Sequence, residues 1–396
     1  MVLRRFIDER LLRQIEAVPD KFLKETRLRR IQLDFDALLS CSRERSKLIE
    51  RINANQEIAQ QIGRSTAETL KIKEETQNLR KSLSELDDRL MPVLDQIPNE
   101  SAPDVPKESQ VIETINEDRQ YGVCDHLNLA GHMIESANKA VGSQFYYLKG
   151  DAALFEQRLI SFVTEISINR GYSLVKPPDL VRGDVIWGSG YNPRDTDQPY
   201  KIEGQDLYLT ATSEISLLGM LAAMKAPIEP PLRFVAWSHC FRREAGHYGK
   251  QAKGLFRVHQ FSKAELFTVC EAGKSEEELD RIVNLQREVI RSLGLKARLV
   301  LLPHYELGAA ARKKLDWEAW FPSRKNNWGE ITSASDCGTF QTRRLGIRDR
   351  HGNELSAVNG TGAAVSRLLQ ACIETGYDGK HIVWPSCLKM EKSLVS

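Results

Sequence analysis

An α+β protein led by a long helical hairpin is the architecture this sequence predicts, and three features predict it. From Asp20 to Met91 there is no proline, and Gly63 is the only glycine among the first 120 residues. Of the phenylalanines, tyrosines and tryptophans, only Phe6, Phe22 and Phe35 precede Tyr121. Beyond that point strand and helix patterns mix without a run of alternating βαβ units, which favours an antiparallel sheet flanked by helices over a doubly wound parallel one. The 396 residues divide accordingly into a helical arm with its linker, 1–110, and a chemistry-bearing domain, 111–396.

In the arm, Leu79, Leu83, Leu86, Leu90, Val93 and Ile97 are spaced 4-3-4-3-4, a coiled-coil seam suited to one partner helix. A looser apolar set, Ile31, Phe35, Leu38, Ile49, Ile52 and Ile62, supplies that partner. Between the halves, Gly63 can stop one helix, and Ser65 with Glu68 forms a capping box for the next. Two antiparallel helices of about 30 residues each reach roughly 45 Å, so the pair is expected to project as an arm. Pro98, Pro103 and Pro106 mark a linker. Strands are then expected over 207–210, 233–240, 255–269, 297–302 and 315–321, and helices over 152–169 and 276–293.

Composition narrows the function. Fifty-six Lys plus Arg against fifty-four Asp plus Glu leave a net charge of +2, so any contact with nucleic acid must be local. No apolar stretch approaches the roughly 18 residues needed to span a bilayer, and residues 1–30, with five acidic among nine basic residues, lack the apolar core of a secretory signal. The seven cysteines are scattered with no C-x-x-C pair, which reads as free thiols and no zinc ribbon. The P-loop, H-E-x-x-H and G-x-S-x-G signatures are absent, and Gly360-Thr361-Gly362 lacks the third glycine of a dinucleotide loop.

Three polar blocks remain. In the first, Phe241-Arg242-Arg243-Glu244-Ala245-Gly246 is followed by a loop and then by Leu255 to Glu265, so two strands flank a basic turn. Its arginines offer forked donors to phosphate or carboxylate, Phe261 can stack on a base and Glu244 can accept from its amino group. The alternative is a surface hairpin with charges paired across strands. The second block, Gly329 to Asp336, carries Glu330 and Ser333 as candidate oxygen ligands for magnesium and is unremarkable alone. The third, Val358 to Arg367, runs from strand into a small-residue helix start, where glycines allow either close approach to a ligand or tight packing of a helix on the sheet.

Together and in this order, the blocks resemble class II aminoacyl-tRNA synthetases, and their wording is similar to that of the seryl-tRNA synthetase family. Tyr146 to Asp151 and Gly171 to Pro178 resemble the first class II motif, a helix and strand at a dimer interface; Phe241 to Gly246 with Arg257 to Glu265 resembles the second, and Gly360 to Arg367 the third. Thr212-Ser213-Glu214 matches the family's Thr-x-Glu serine loop. The resemblance implies a class II antiparallel sheet preceded by a hairpin that grips tRNA(Ser), ATP and L-serine as substrates, Mg2+, no zinc, a homodimer and no membrane. It implies that Arg242, Glu330 and Arg367 are catalytic, and that Thr212, Ser213, Glu214, Arg242, Glu265, Asn359 and Thr361 hold serine. ATP falls to Arg242, Arg243, Glu244, Arg257, Val258, His259, Gln260, Phe261, Glu330, Ile331, Thr332, Ser333 and Arg367, and magnesium to Glu330 and Ser333.

The sequence departs from the family pattern where Ala334 and Asp336 replace Cys and Asn, Leu315 replaces Tyr, and Ser356-Ala357 replace His-Thr. The Asp336 change is expected to add negative charge near the nucleotide. A catalytically silent paralogue serving as a tRNA-binding or partner-binding scaffold is the competing reading. The arginine-rich start and a chain ending soon after Trp384-Pro385 suggest the mitochondrial matrix, otherwise the cytoplasm.

Overall fold

The proline-poor leader forms four helices, α1 (Glu9–Ala17), α2 (Pro19–Leu28), α3 (Phe35–Ile62) and α4 (Ala67–Asp95). The computed structural model describes residues 7, 9–62, 67–119, 122, 124–191, 199–224, 226–244, 254–324 and 327–394. Asp34 starts α3 by accepting the Ala37 N–H at 2.9 Å. Arg45 pairs with Asp87 at 2.6 Å and Arg51 with Glu75 at 2.9 Å, so rising numbers on α3 meet falling numbers on α4 and the helices run antiparallel. The expected capping box at Ser65 lies outside the described residues.

Leu79, Leu86, Leu90 and Ile97 of the expected seam are buried, whereas Leu83 and Val93 are only half-buried and Leu94 is buried instead. The shift has a cause: at this end the hairpin does not meet a single partner. Leu11, Leu12 and Ile15 of α1 pack with Phe35, Leu38, Leu90 and Leu94, so α4 presents a wider stripe there. Ile31, expected in the first long helix, lies in the irregular link between α2 and α3.

The chain divides into two compact units, Met1–Glu100 and Ser101–Ser396. In the second, Ala102 and Val105 pack with Val300, Leu302 and Leu307. Its centre is an eight-stranded sheet of β1 (Gln110–Ile115), β2 (Ser173–Val175), β3 (Leu232–Phe241), β4 (Gln260–Glu271), β5 (Ala297–Leu301), β6 (Lys313–Trp320), β7 (Trp328–Asp336) and β8 (Leu355–Ala364), in the order β1-β5-β6-β7-β8-β4-β3-β2. Every pairing is antiparallel except β2 with β3. The strand expected to start at residue 255 starts at Gln260, because Gly254 takes a positive φ of 79° and Gly254–Phe256 forms a 3-10 turn.

One face of the sheet is closed by helices. The two expected from periodicity, α6 (Asp151–Asn169) and α8 (Ser275–Ser292), join α9 (Val365–Gly376) over a core of Val163, Leu266, Ile282, Val358 and Leu368. The short α5 (His126–Ala130) also packs there through Leu129 and Ala130. The opposite face is apolar at one end, where Phe267 and Val269 meet Leu217 and Leu218 of α7 (Ser213–Ala223). At its other end it is polar and open, and the three blocks meet there. Among the described residues no helix is long and apolar enough to cross a membrane.

Candidate active site

A cleft of about 330 Å³ opens on that polar face. Its floor depends on two bulges. Strict alternation along β7 would send Glu330 and Ser333, three residues apart, to opposite faces. The register slips so that Glu318 faces Glu330 while Trp317 faces Thr332, and the extra residue brings Glu330 and Ser333 to the same side. A second slip lies between Thr361 and Ala363, with Thr361 directly opposite Glu265.

One end of the cleft is a buried polar pocket. Glu214 Oε1 accepts from Gln341 Nε2 at 2.6 Å and from Asn359 Nδ2 at 2.9 Å. Enclosure and the nearby Glu265 push the Glu214 carboxyl up to about 7, against the pull of Gln341 and Lys263. Lys263 donates to Thr212 Oγ1 at 2.8 Å and forms a 2.5 Å ion pair with Glu265, at an angle that is not that of a hydrogen bond. Two carboxylates therefore face a small volume, and Lys263, the cation beside Glu265, is tethered to Thr212 on its wall. The arrangement suits an ammonium group flanked by hydroxyl partners.

The other end carries guanidinium groups. Arg242 follows β3, donates to Ala211 O at 3.4 Å and lies 5.4 Å from the Phe261 ring. Arg257 donates to Glu244 at 2.7 Å. Arg367, in the first turn of α9, donates to Phe256 O and Glu330 O at 3.2 and 2.9 Å, pairs with the Glu330 carboxylate at 3.2 Å, and lies over the Phe256 ring. Enclosure in the cleft pushes the Glu330 carboxyl up, but Arg367, Lys314 and Arg242 outweigh it and hold it at about 2. This end is built for a polyanion with a planar ring.

Most residues expected in the site line the cleft: Thr212, Glu214, Arg242, Glu244, Arg257, Val258, Phe261, Glu265, Glu330, Ile331, Ser333, Asn359, Thr361 and Arg367. Five do not. Ser213 is buried in the first turn of α7 and bonds Ser238 Oγ at 2.8 Å, because a helix start turns consecutive side chains away from each other. Arg243 does not line the cleft, and its charge is felt by Tyr200. His259 donates from Nδ1 to Arg242 O at 2.9 Å, so it holds the backbone that carries Arg242. Gln260 begins β4 outside the cleft, and Thr332 is buried on the opposite side of β7.

One further expectation is corrected, and one alternative that the sequence leaves open is decided. Asp336 adds no charge to the nucleotide end: its carboxylate accepts Gly338 N–H at 2.7 Å and Ser275 Oγ–H at 3.0 Å, tying β7 to the start of α8. The glycines of the third block serve packing. A Cβ on Gly360 would lie 2.4 Å from Ile282, and one on Gly362 would lie 2.9 Å from Val163, both on the helix-covered face. Sequence reasoning missed Lys263, Lys314, Gln341 and Phe256, which also line the cleft. Lys263 alternates with Glu265 and could have been found by period two; Gln341 could not, since its short helix, Phe340–Arg344, reaches the pocket only through tertiary folding.

Magnesium fits the donor set. Glu330 is ionised, Ser333 lies on its face, and Asp316, opposite Ser333, has a buried Oδ1 without a hydrogen-bond partner, so the available donors are hard oxygens. Among the described residues no group of three or more His, Cys, Asp or Glu is placed to hold a metal by itself.

An antiparallel sheet bearing such a cleft between helices defines a class II aminoacyl-tRNA synthetase core, and residues 200–376 match the class II core domain of the G, H, P, S and T enzymes. The fold matches the seryl-tRNA synthetase of Pyrococcus horikoshii complexed with ATP, with a TM-score of 0.85 and 28% identity over 99% of this chain and 100% of that one. The serine--tRNA ligase of Borrelia recurrentis is 36% identical across 93% of this chain and 92% of its own, and that of Rubrobacter xylanophilus 34% across 92% of each. The chain belongs to the serine--tRNA ligase family, whose reaction joins L-serine to tRNA at the expense of ATP.

Proposed function

We propose that the cleft binds L-serine at its carboxylate end and ATP at its guanidinium end, forms seryl-adenylate and pyrophosphate, and then passes the seryl group to tRNA(Ser). Glu214 and Glu265 meet the serine ammonium, and Thr212, Thr361 and Asn359 close round the small side chain. Arg242 stands between the two ends, where the serine carboxylate and the α-phosphate converge. Glu244 and Phe261 take the adenine, and Arg257 and Arg367 the outer phosphates. The serine carboxylate is already ionised at neutral pH, so its attack on phosphorus needs alignment and charge stabilisation and no general base. Glu330 and Ser333 would hold magnesium, which when bound neutralises phosphate charge.

The observation that carries this reading is one cleft with the carboxylates of Glu214 and Glu265 at one end, the guanidinium groups of Arg257 and Arg367 at the other and Arg242 between them. It also disfavours the silent-scaffold alternative, since no group the chemistry requires has been lost. Serine-dependent exchange of pyrophosphate into ATP is the test, and a folded chain that binds tRNA without exchanging pyrophosphate would establish the scaffold instead.

The coiled-coil arm, α3 with α4, is assigned to grip tRNA(Ser). A homodimer is inferred from the stretches that resemble the first motif, which expose Tyr147 and Leu174 to solvent, together with Leu154 and Ile168 of the intervening α6; sedimentation decides it. The mitochondrial matrix is the assigned compartment, on the arginine-rich start alone, and fractionation tests it against the cytoplasm.

A further inference from the structure

The imidazole of His126, the first residue of α5, is buried between two segments that each carry a cleft arginine. Its Nε2 accepts the Leu255 N–H at 3.2 Å, in the turn just before Arg257. A backbone amide can only donate, so this nitrogen is bare and the proton is on Nδ1. Nδ1 lies 2.9 Å from Glu374 Oε1, on α9 two turns beyond Arg367. Glu374 is itself locked, accepting Ser323 Oγ–H at 2.6 Å and Gln370 Nε2 at 2.9 Å on the same oxygen, and Ser323 N–H at 3.2 Å on the other. The turn is fitted closely to the ring: a Cβ on Gly254, already at positive φ, would lie 2.2 Å from His126 Nε2.

We infer that His126 is a positioning residue for the ATP phosphate clamp, a neutral bridge that sets the distance between the turn bearing Arg257 and the helix bearing Arg367. The inference rests on the reading that these arginines hold the outer phosphates. The bridge runs from Glu374 through the imidazole to Leu255, and then through Phe256, whose carbonyl accepts from Arg367 and whose ring lies beneath it. Without it, the turn keeps its apolar contacts but loses the hydrogen bond that fixes its backbone. Phosphate affinity then falls because two guanidinium groups no longer stand at the spacing the triphosphate needs, while the serine end, built from β4, β8 and α7, is untouched.

Two substitutions in the full chain separate the halves of the bridge. Asparagine places its amide near the Nδ1 position, satisfying Glu374 and abandoning Leu255; glutamine can place an acceptor near the Nε2 position. For His126→Asn, the ATP KM in serine-dependent exchange and the Kd for ATP alone by calorimetry should both weaken about tenfold, with serine KM and kcat within about twofold. His126→Gln should restore ATP binding to within about threefold of the parent. An unchanged ATP Kd in His126→Asn, equal losses for serine and ATP, or glutamine no better than asparagine overturns the assignment. If His126→Asn fails to fold, nitrogen NMR of the parent decides: a proton on Nε2, or on both nitrogens, overturns it, and a bare Nε2 supports it. A parent chain that binds ATP without exchanging pyrophosphate refutes the synthetase reading, while the calorimetric comparison still tests His126.

Discussion

Arg242 is the residue on which the two ends of the cleft depend. Its forked donors can meet a carboxylate and a phosphate together, whereas an ammonium is a point charge. Arg242→Lys should therefore lower serine-dependent exchange about 10²–10³-fold with little change in melting temperature, and near-normal exchange would remove Arg242 from the reaction. Glu214 gives a pH signature. The folded chain raises its carboxyl from 4.5 to about 7, so it retains a proton there that the unfolded chain sheds. The linked stability is present below about pH 4.5 and is lost as the pH rises through 7. Glu214→Gln copies the protonated form, so it should melt a few degrees above the parent at pH 8 and bind serine more weakly there, with both differences narrowing toward pH 5. A gap that does not vary with pH would contradict the raised value. Asp336, by contrast, is bonded to Gly338 and Ser275 away from the cleft; Asp336→Asn should leave the ATP KM within about twofold, and a large change would return its charge to the nucleotide.

At the scale of elements, the site exists because strands are held at fixed offsets by what lies behind them. β8 approaches α8 so closely at Gly360 that an added methyl meets both Ile282 and the Ser333 carbonyl, at 2.4 and 3.0 Å. Gly360→Ala should cost roughly 1–3 kcal/mol by overpacking, read as a lower denaturation midpoint. Exchange per folded molecule should change less than stability, unless β8 shifts enough to move Thr361 and Asn359. The β7 bulge acts similarly: the polar block was legible in the sequence, but its two magnesium-ligand candidates share a face only because one residue is unpaired.

For the whole molecule, chemistry and tRNA binding are assigned to separate units, and that separation is testable without dismantling the protein. Arg43, Lys71 and Lys73 are exposed on α3 and α4. Arg45 is not available for phosphate, being buried against Asp87 and Glu9. Reversing the three exposed charges should leave pyrophosphate exchange unchanged and reduce tRNA charging about tenfold or more, with a shallower dependence of tRNA affinity on salt. Charging at the parental rate would make the hairpin a structural appendage.

The sequence by itself determined the elements and the chemistry available to them. Missing breakers and a 3.5-residue period specified two long helices, and the residue types of three blocks specified forked cations, carboxylates and an aromatic platform, because periodicity and side-chain chemistry are local properties. Only the tertiary structure decided which of those groups face one cavity. Ser213, Arg243 and Thr332 stand beside residues that line the cleft yet do not line it themselves, while Gln341 enters it from a distant segment and His126, outside it, is brought from another to Glu374 and Leu255. Facing is fixed by bulges, helix starts and the packing of α6, α8 and α9 behind the sheet. Those features depend on contacts between residues far apart in the chain, and no local pattern encodes them.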